Sequence, residues 1–216
     1  MAIKLATGTA LAIATAYGTA VNMTALTNAT EAVATLGAGH GVVVGDFLEV
    51  TSGWDLLTGR IVRAKTVVTN DVTFELINTT STANYPTGGG IGTIRRITTW
   101  TPIAQVQTFD AAGGEPSFAD ITTIVDRVQK QVPTLRSAQT LTLGLFDDPL
   151  LAGQIAIQAA SDNLTVAALR IIFPDASRMV ANGYWSIRPA PSVTVNAPVT
   201  IAANFTGLSL ATRYNT

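Results

Sequence analysis

Residues 120–149 read DITTIVDRVQKQVPTLRSAQTLTLGLFDDP, and the order of chemistry along them points to the fold. A β-branched run, Ile121-Thr122-Thr123, leads into a charged segment with Asp126, Arg127 and Lys130, which closes on Pro133, Leu135 and Arg136. Thr140-Leu141-Thr142-Leu143 then alternates polar and apolar residues, the period-two pattern of a strand with one buried face. Asp147-Asp148-Pro149 follows. Proline suits the first turn of a helix and aspartate suits the cap, so the pattern predicts a helix over residues 149–160, capped by Asp147 or Asp148. Leu151, Ile155, Gln158 and Ala159 lie at helical spacing, and Gly153 is expected to weaken the helix by about 1 kcal/mol relative to Ala.

Outward from this stretch the chain reads as strands. Alternation and turn signals place strands at residues 9–17, 100–109, 165–173, 177–188, 192–196 and 199–210, with Pro174-Asp175-Ala176 as a hairpin turn. Residues 19–36, rich in Ala and Thr, read as a strand followed by a short helical turn around Glu31. Residues 38–97 hold several short strands between turn signals (Ser52-Gly53-Trp54, Thr58-Gly59, Asn70-Asp71, Gly88-Gly89-Gly90), the spacing of a small barrel or sandwich. Within it, Ile61, Arg63, Lys65 and Val67 fall on one face and Val62, Ala64, Thr66 and Val68 on the other. The expected division is a main domain of residues 1–37 and 98–216 with an inserted small β domain of residues 38–97. The expected fold class is mainly β, with one flanking helix.

Composition narrows the function. The 216 residues are 47% hydrophobic and only 12% charged, with a net charge of −1 and 33 threonines. A typical soluble domain carries about 25% charged residues. So few charges give a lone molecule poor protection against association, and suit a surface covered by copies of the same chain. The absence of cysteine excludes disulfides and thiolate metal sites. No uninterrupted apolar run approaches the ~18 residues of a membrane helix. Met1-Ala2-Ile3-Lys4 and the Thr-broken residues after it do not read as a signal peptide. The near-neutral balance gives no general attraction to nucleic acid.

Candidate chemistry is sparse, and no cofactor or metal is expected. His40, the single histidine, lies between Gly39 and Gly41 and reads as a turn residue, with no base or nucleophile beside it. Asp147-Asp148 reads as a cap before it reads as a metal or acid–base pair. Gly88-Gly89-Gly90-Ile91-Gly92 lacks the Lys-Ser/Thr and the helix of a phosphate loop. Arg95-Arg96 on a strand would point to opposite faces. Trp54, Trp100 and Trp185 read as core or interface filling. Asn78-Thr79-Thr80 and Asn204-Phe205-Thr206 match the glycosylation pattern, which only a secreted protein would use. No catalytic constellation emerges, so the chain does not read as an enzyme.

The order of these elements resembles the major tail tube proteins of long-tailed bacteriophages. The resemblance rests on Asp120-Ile121-Thr122-Thr123, the charged residues 124–132, Pro133-Thr134-Leu135-Arg136-Ser137, the strand and acidic turn from Leu141 to Asp148, Leu169-Arg170-Ile171-Ile172-Phe173-Pro174, and Gly183-Tyr184-Trp185-Ser186-Ile187. It implies a tail-tube-type β-sandwich or barrel with one flanking helix, residues 38–97 being an insertion. It further implies a structural subunit in the virion tail, assembled in the host cytoplasm. Six copies would form a ring, and rings would stack into a tube that conducts double-stranded DNA without binding it specifically. Tape measure, terminator and baseplate proteins would be its other partners, with no membrane. A long loop reaching the next ring corresponds to residues 110–131, with Asp110, Gly113, Gly114, Glu115, Asp120, Asp126, Arg127 and Lys130 as its contact residues, disordered until stacking. Relatives typically show an acidic or neutral lumen, whereas here no Asp or Glu follows Asp175 while Arg178, Arg188 and Arg213 do. The alternative is a β-sandwich binding or adhesion module, or another tail component such as a terminator or baseplate protein.

Overall fold

The computed structural model describes residues 7–188 and 190–215. Met1–Lys4, read above for a leader, and Pro189 lie outside the described residues. Strands dominate because β-branched and alternating segments dominate the sequence. In chain order they are β1 (Ala10–Tyr17), β2 (Val21–Leu26), β3 (Val33–Leu36), β4 (Phe47–Ser52), β5 (Ile61–Val68), β6 (Asp71–Phe74), β7 (Gly92–Ile103), β8 (Val106–Ala112), β9 (Pro116–Asp120), β10 (Gln131–Arg136) and β11 (Thr140–Phe146). The helix α1 (Ala152–Asp162) follows, then β12 (Val166–Ile172), β13 (Arg178–Ile187), β14 (Thr200–Gly207) and β15 (Thr212–Tyr214). The fold is mainly β with one helix, as expected, and all its strand pairs are antiparallel. Among the described residues no helix is long and apolar enough to cross a membrane.

Six strands close into a small barrel in the order β2-β3-β6-β5-β4-β7, with β7 returning to β2 at Val21↔Ile94. Closure removes the exposed edges that a short open sheet would present. The barrel core is Met23, Leu36, Leu48, Val50, Trp54, Leu57, Val62, Phe74, Ile77 and Ile94 with smaller neighbours. Trp54 donates its indole N–H to the Pro86 carbonyl at 2.8 Å and meets Tyr85 edge-on. The strands β2 and β3 belong to this barrel, so its packing begins at Val21 rather than at residue 38. No helical turn forms at Glu31, because residues between β2 and β3 make a bend that returns the chain for pairing.

The second body is a sheet in the order β7-β1-β12-β13-β14-β11-β8, with β15 beside the first residues of β13. Leu11, Ile13, Leu141, Leu143, Leu145, Leu169, Ile171, Trp185 and Phe205 form its core with Ile157 and Ala160 of α1. The long strand β7 serves both bodies: Gly92–Arg96 pairs with β4, and Ile97–Ile103 pairs with β1. A boundary at residue 97/98 therefore falls inside a continuous strand. The strand expected at residues 100–109 is instead divided between the end of β7 and β8, with residues 104–105 between them.

The two bodies meet through Phe47, Ile61, Ile97, Ala168, Val180 and Tyr214. This explains why Ile61 and Val62 are both buried: one faces the joint and the other the barrel interior. Polar bonds cross the same joint. Tyr214 accepts the Arg63 backbone N–H at 3.0 Å, and burial pushes its phenol up to about 12. Arg60 donates to the Thr212 hydroxyl at 2.9 Å. The hairpin turn at Pro174-Asp175-Ala176 forms as read. Residues 192–196 form only an isolated bridge, Ser192↔Thr200, rather than a strand.

Candidate assembly surfaces

Among the described residues nothing covers three surfaces: an arm, a strand edge and half of one sheet face. The arm is the hairpin β9–β10, paired at Gln131↔Asp120 and Pro133↔Phe118. Glycines set its root. Gly113 has φ of +78°, and a Cβ there would meet the Ala138 carbonyl oxygen at 2.2 Å. Gly114 donates its N–H to the Ser137 carbonyl at 3.2 Å, and Ser137 donates back to the Glu115 carbonyl at 3.0 Å. The segment expected as a disordered loop thus forms a ladder, because Pro116–Asp120 finds a partner in Gln131–Arg136.

The β-branched run Ile121-Thr122-Thr123 is the arm's tip rather than a strand, since Asp120 and Asp126 bend the backbone. Asp120 accepts the Thr122 N–H at 2.8 Å and the Gln129 amide at 3.0 Å. Hydrogen bonds from Thr122, side chain then backbone, and from Gln129 hold its carboxyl below the ordinary range. Asp126 pairs with Lys130, and accepts the Thr123 N–H at 2.9 Å and hydroxyl at 2.8 Å. Lys130 first, then Thr123, lowers the Asp126 carboxyl as well. These charges are spent inside the tip. Arg127 has no partner among the described residues and stands free.

Sequence reasoning picked the charged residues and passed over the apolar ones. Phe118, Ile121, Ile124, Val125, Val128, Val132 and Leu135 are all exposed, Ile124 completely and Val125 at 87%. The available signal was a run of branched apolar residues inside a segment read as a charged loop. A free two-stranded hairpin is marginal in water, and an apolar one exposes surface that favours burial against another molecule.

The edge is β8, which pairs with β11 on one side and ends the sheet. Asp110 lies on it, exposed, with its carboxylate accepting the Ala111 N–H at 3.0 Å. Beside it runs the uncovered face. The sheet register aligns Asp110–Thr142–Asn204–Ser186, flanked by the row Ala112–Thr140–Thr206–Tyr184. Alternation turns these side chains away from α1, and all are exposed. The Thr142 hydroxyl donates to the Asn204 amide oxygen at 3.1 Å. This face is hydroxyl- and amide-rich, with Asp110 and the strand-end residue Arg188 as its charges.

The helix cap differs from expectation. The helix begins at Ala152, its cap position is Leu151, and no side chain caps it. Asp148 lies too early: its carboxylate accepts the Leu150 N–H at 3.1 Å in the turn before the helix. Asp147 offers only its backbone N–H, to Val199 O at 3.0 Å. Gln154 instead ties the helix to β11, donating to the Phe146 carbonyl at 2.6 Å. His40 is a turn staple, Nδ1 accepting the Val42 N–H at 3.0 Å and Nε2 facing the Thr69 carbonyl at 2.9 Å. Trp54 and Trp185 are core, while Trp100 is half-exposed under the Arg170 guanidinium at 4.6 Å.

A closed barrel fused through one strand to an open-edged sheet, with a projecting hairpin, defines a mainly β protein with uncovered pairing surfaces. The chain belongs to the phage tail tube protein family, whose model matches residues 52–216. The match begins at the last residue of β4, so it takes in β5, β6 and β7 of the barrel and every strand of the sheet except β1. No curated protein is similar enough to match. Membership makes the chain a structural component of the virion tail, a class that works by oligomeric assembly with other tail proteins.

Proposed function

We propose that this chain is the repeating subunit of the tail tube. Six copies form a ring through the free edge of β8, and rings stack through the arm. Asp110, Gly113, Gly114, Glu115, Asp120, Asp126, Arg127 and Lys130 belong to this contact segment, the glycines and Asp120 shaping it and Arg127 meeting the neighbour. The uncovered face of β8, β11, β14 and β13 lines the hole. Hydroxyls and amides, with Asp110 and Arg188 as the charges, give duplex DNA few phosphate-binding cations to hold it as it passes. Assembly takes place in the host cytoplasm, on a tape measure protein and between baseplate and terminator.

The arm carries this reading: its exposed branched apolar side chains have no cover among the described residues. An open β edge beside it supports lateral pairing, since unpaired edges otherwise template uncontrolled association. Heterologous contacts between copies can close into a ring about a rotation axis, and rings can stack along it. The test is negative-stain electron microscopy of concentrated protein, with and without a tail initiator complex. Rings or tubes are expected. Deleting residues 113–130 should leave a folded subunit that does not stack. A strictly monomeric protein under both conditions overturns the proposal.

A further inference from the structure

An open groove of about 970 Å³ lies between the barrel and the root of the arm. Its barrel wall carries Asp55 and Leu56, its floor Leu208 and Leu210, and its far wall Arg136. The three leucines are exposed. Among the described residues Asp55 has no hydrogen-bond or ion-pair partner, and neither does Arg127 at the arm's tip. The groove therefore offers apolar surface with an unpaired carboxylate on its barrel wall and the Arg136 guanidinium on the wall opposite, and the tip offers apolar surface around an unpaired guanidinium.

We infer that the groove receives the arm tip of a second copy of this chain, with Ile124, Val125 and Val128 on Leu56, Leu208 and Leu210, and Arg127 paired to Asp55. The subunit's own arm does not serve: its root, Gly113, Gly114 and Ser137, forms part of the groove's rim. From Ser137 to Asp126 the chain runs away from that rim at roughly 3.3 Å per residue, putting the tip on the order of 30 Å from its own groove. Charge complementarity selects the register, and burial of the branched side chains supplies the attraction. This inference rests on the tube reading and assigns the arm's receiving surface.

Charge reversal tests it. Arg127→Glu and Asp55→Lys should each raise the protein concentration needed for tube formation by about tenfold, and the double variant should return it close to the wild-type value. Because the chain has no cysteine, Val125→Cys with Leu208→Cys gives an independent readout. Mild oxidation of assembled tubes should produce covalent multimers on a non-reducing gel, and each single-cysteine variant should not. If Asp55→Lys assembles like wild type while Arg127→Glu does not, or if the cysteine pair never links subunits in intact tubes, the groove is not the receiver, and the tube reading stands. If wild-type protein forms no rings or tubes with an initiator, the tube reading falls, and this inference falls with it.

Discussion

The side-chain amide of Asn182, on β13, donates a hydrogen bond to the Glu49 carboxylate on β4 at 3.0 Å, joining sheet to barrel. Asn182 is fully buried, and Glu49 is also held by Arg95, whose Nε donates at 2.8 Å. Arg95 in turn stacks over the Tyr17 ring at 4.8 Å. The joint is thus fixed by a connected set of groups, and low local polarity makes a defect there costly. Asn182→Asp keeps the shape but sets a second carboxylate against Glu49. It should lower stability by about 3 kcal/mol at neutral pH, because it buries a charge without a partner. The introduced carboxyl is raised by burial and by its like-charged neighbour, so stability should recover as pH falls and it takes up a proton. Thermal unfolding against pH checks this; a pH-independent loss would refute it.

Gly153 reverses an expectation from helix propensity. Exchange for Ala in an isolated helix gains about 1 kcal/mol. Here a Cβ would meet the Pro102 carbonyl oxygen at 2.5 Å and the Ile103 Cα at 2.9 Å. The backbone of α1 rests directly on β7, and neither can yield cheaply. Gly153→Ala should destabilise by about 1–3 kcal/mol, as overpacking does. Denaturant unfolding measures the sign.

Acid should loosen the arm's tip before the body. The Asp126 and Asp120 carboxyls are lowered by Lys130, Thr122, Thr123 and Gln129. A lowered carboxyl stabilises the ordered tip above its unfolded-state value of about 3.9, and that contribution is lost as pH falls through the lowered folded value. The amide signal of Thr123 in NMR spectra should move to its unstructured position below about pH 4, and the body's signals should stay. Asp126→Asn should remove much of this acid dependence at Thr123. Unchanged acid dependence in that variant would assign the transition to other groups.

A lysine on the uncovered face should turn a passive lining into one that binds. Thr142→Lys adds one cation per subunit next to Asn204, at an exposed site away from the cores. Assembled tubes of the variant should retain short duplex DNA at low salt and release it as salt rises, the signature of phosphate contacts. Wild-type tubes should not retain it. Equal retention by both would place this face outside the hole.

Much of the strand architecture was legible in the residues. Thr140–Phe146 alternates so strictly that period two alone locates it, whereas Ala10–Tyr17 and Arg178–Ile187 each bury four consecutive residues and were legible from their composition and the turn residues that bound them. The helix was legible too, though its start was not. Asp147-Asp148-Pro149 has capping composition, but the turn after β11 consumes those residues before the helix begins. The arm's charged residues were visible as a segment, whereas Arg127 differs from Lys130 only because Asp126 chooses one of them as partner.

The sequence by itself determined that this chain is mainly β, weakly charged and suited to association, because local alternation and composition are properties of neighbouring residues. Tertiary structure decided what no window of residues contains. It closed β2 through β7 into a barrel, made β7 common to both bodies, and left the apolar tip without cover. Those outcomes depend on which distant backbones pair, and pairing is settled by the burial of whole sheet faces rather than by any one strand's pattern.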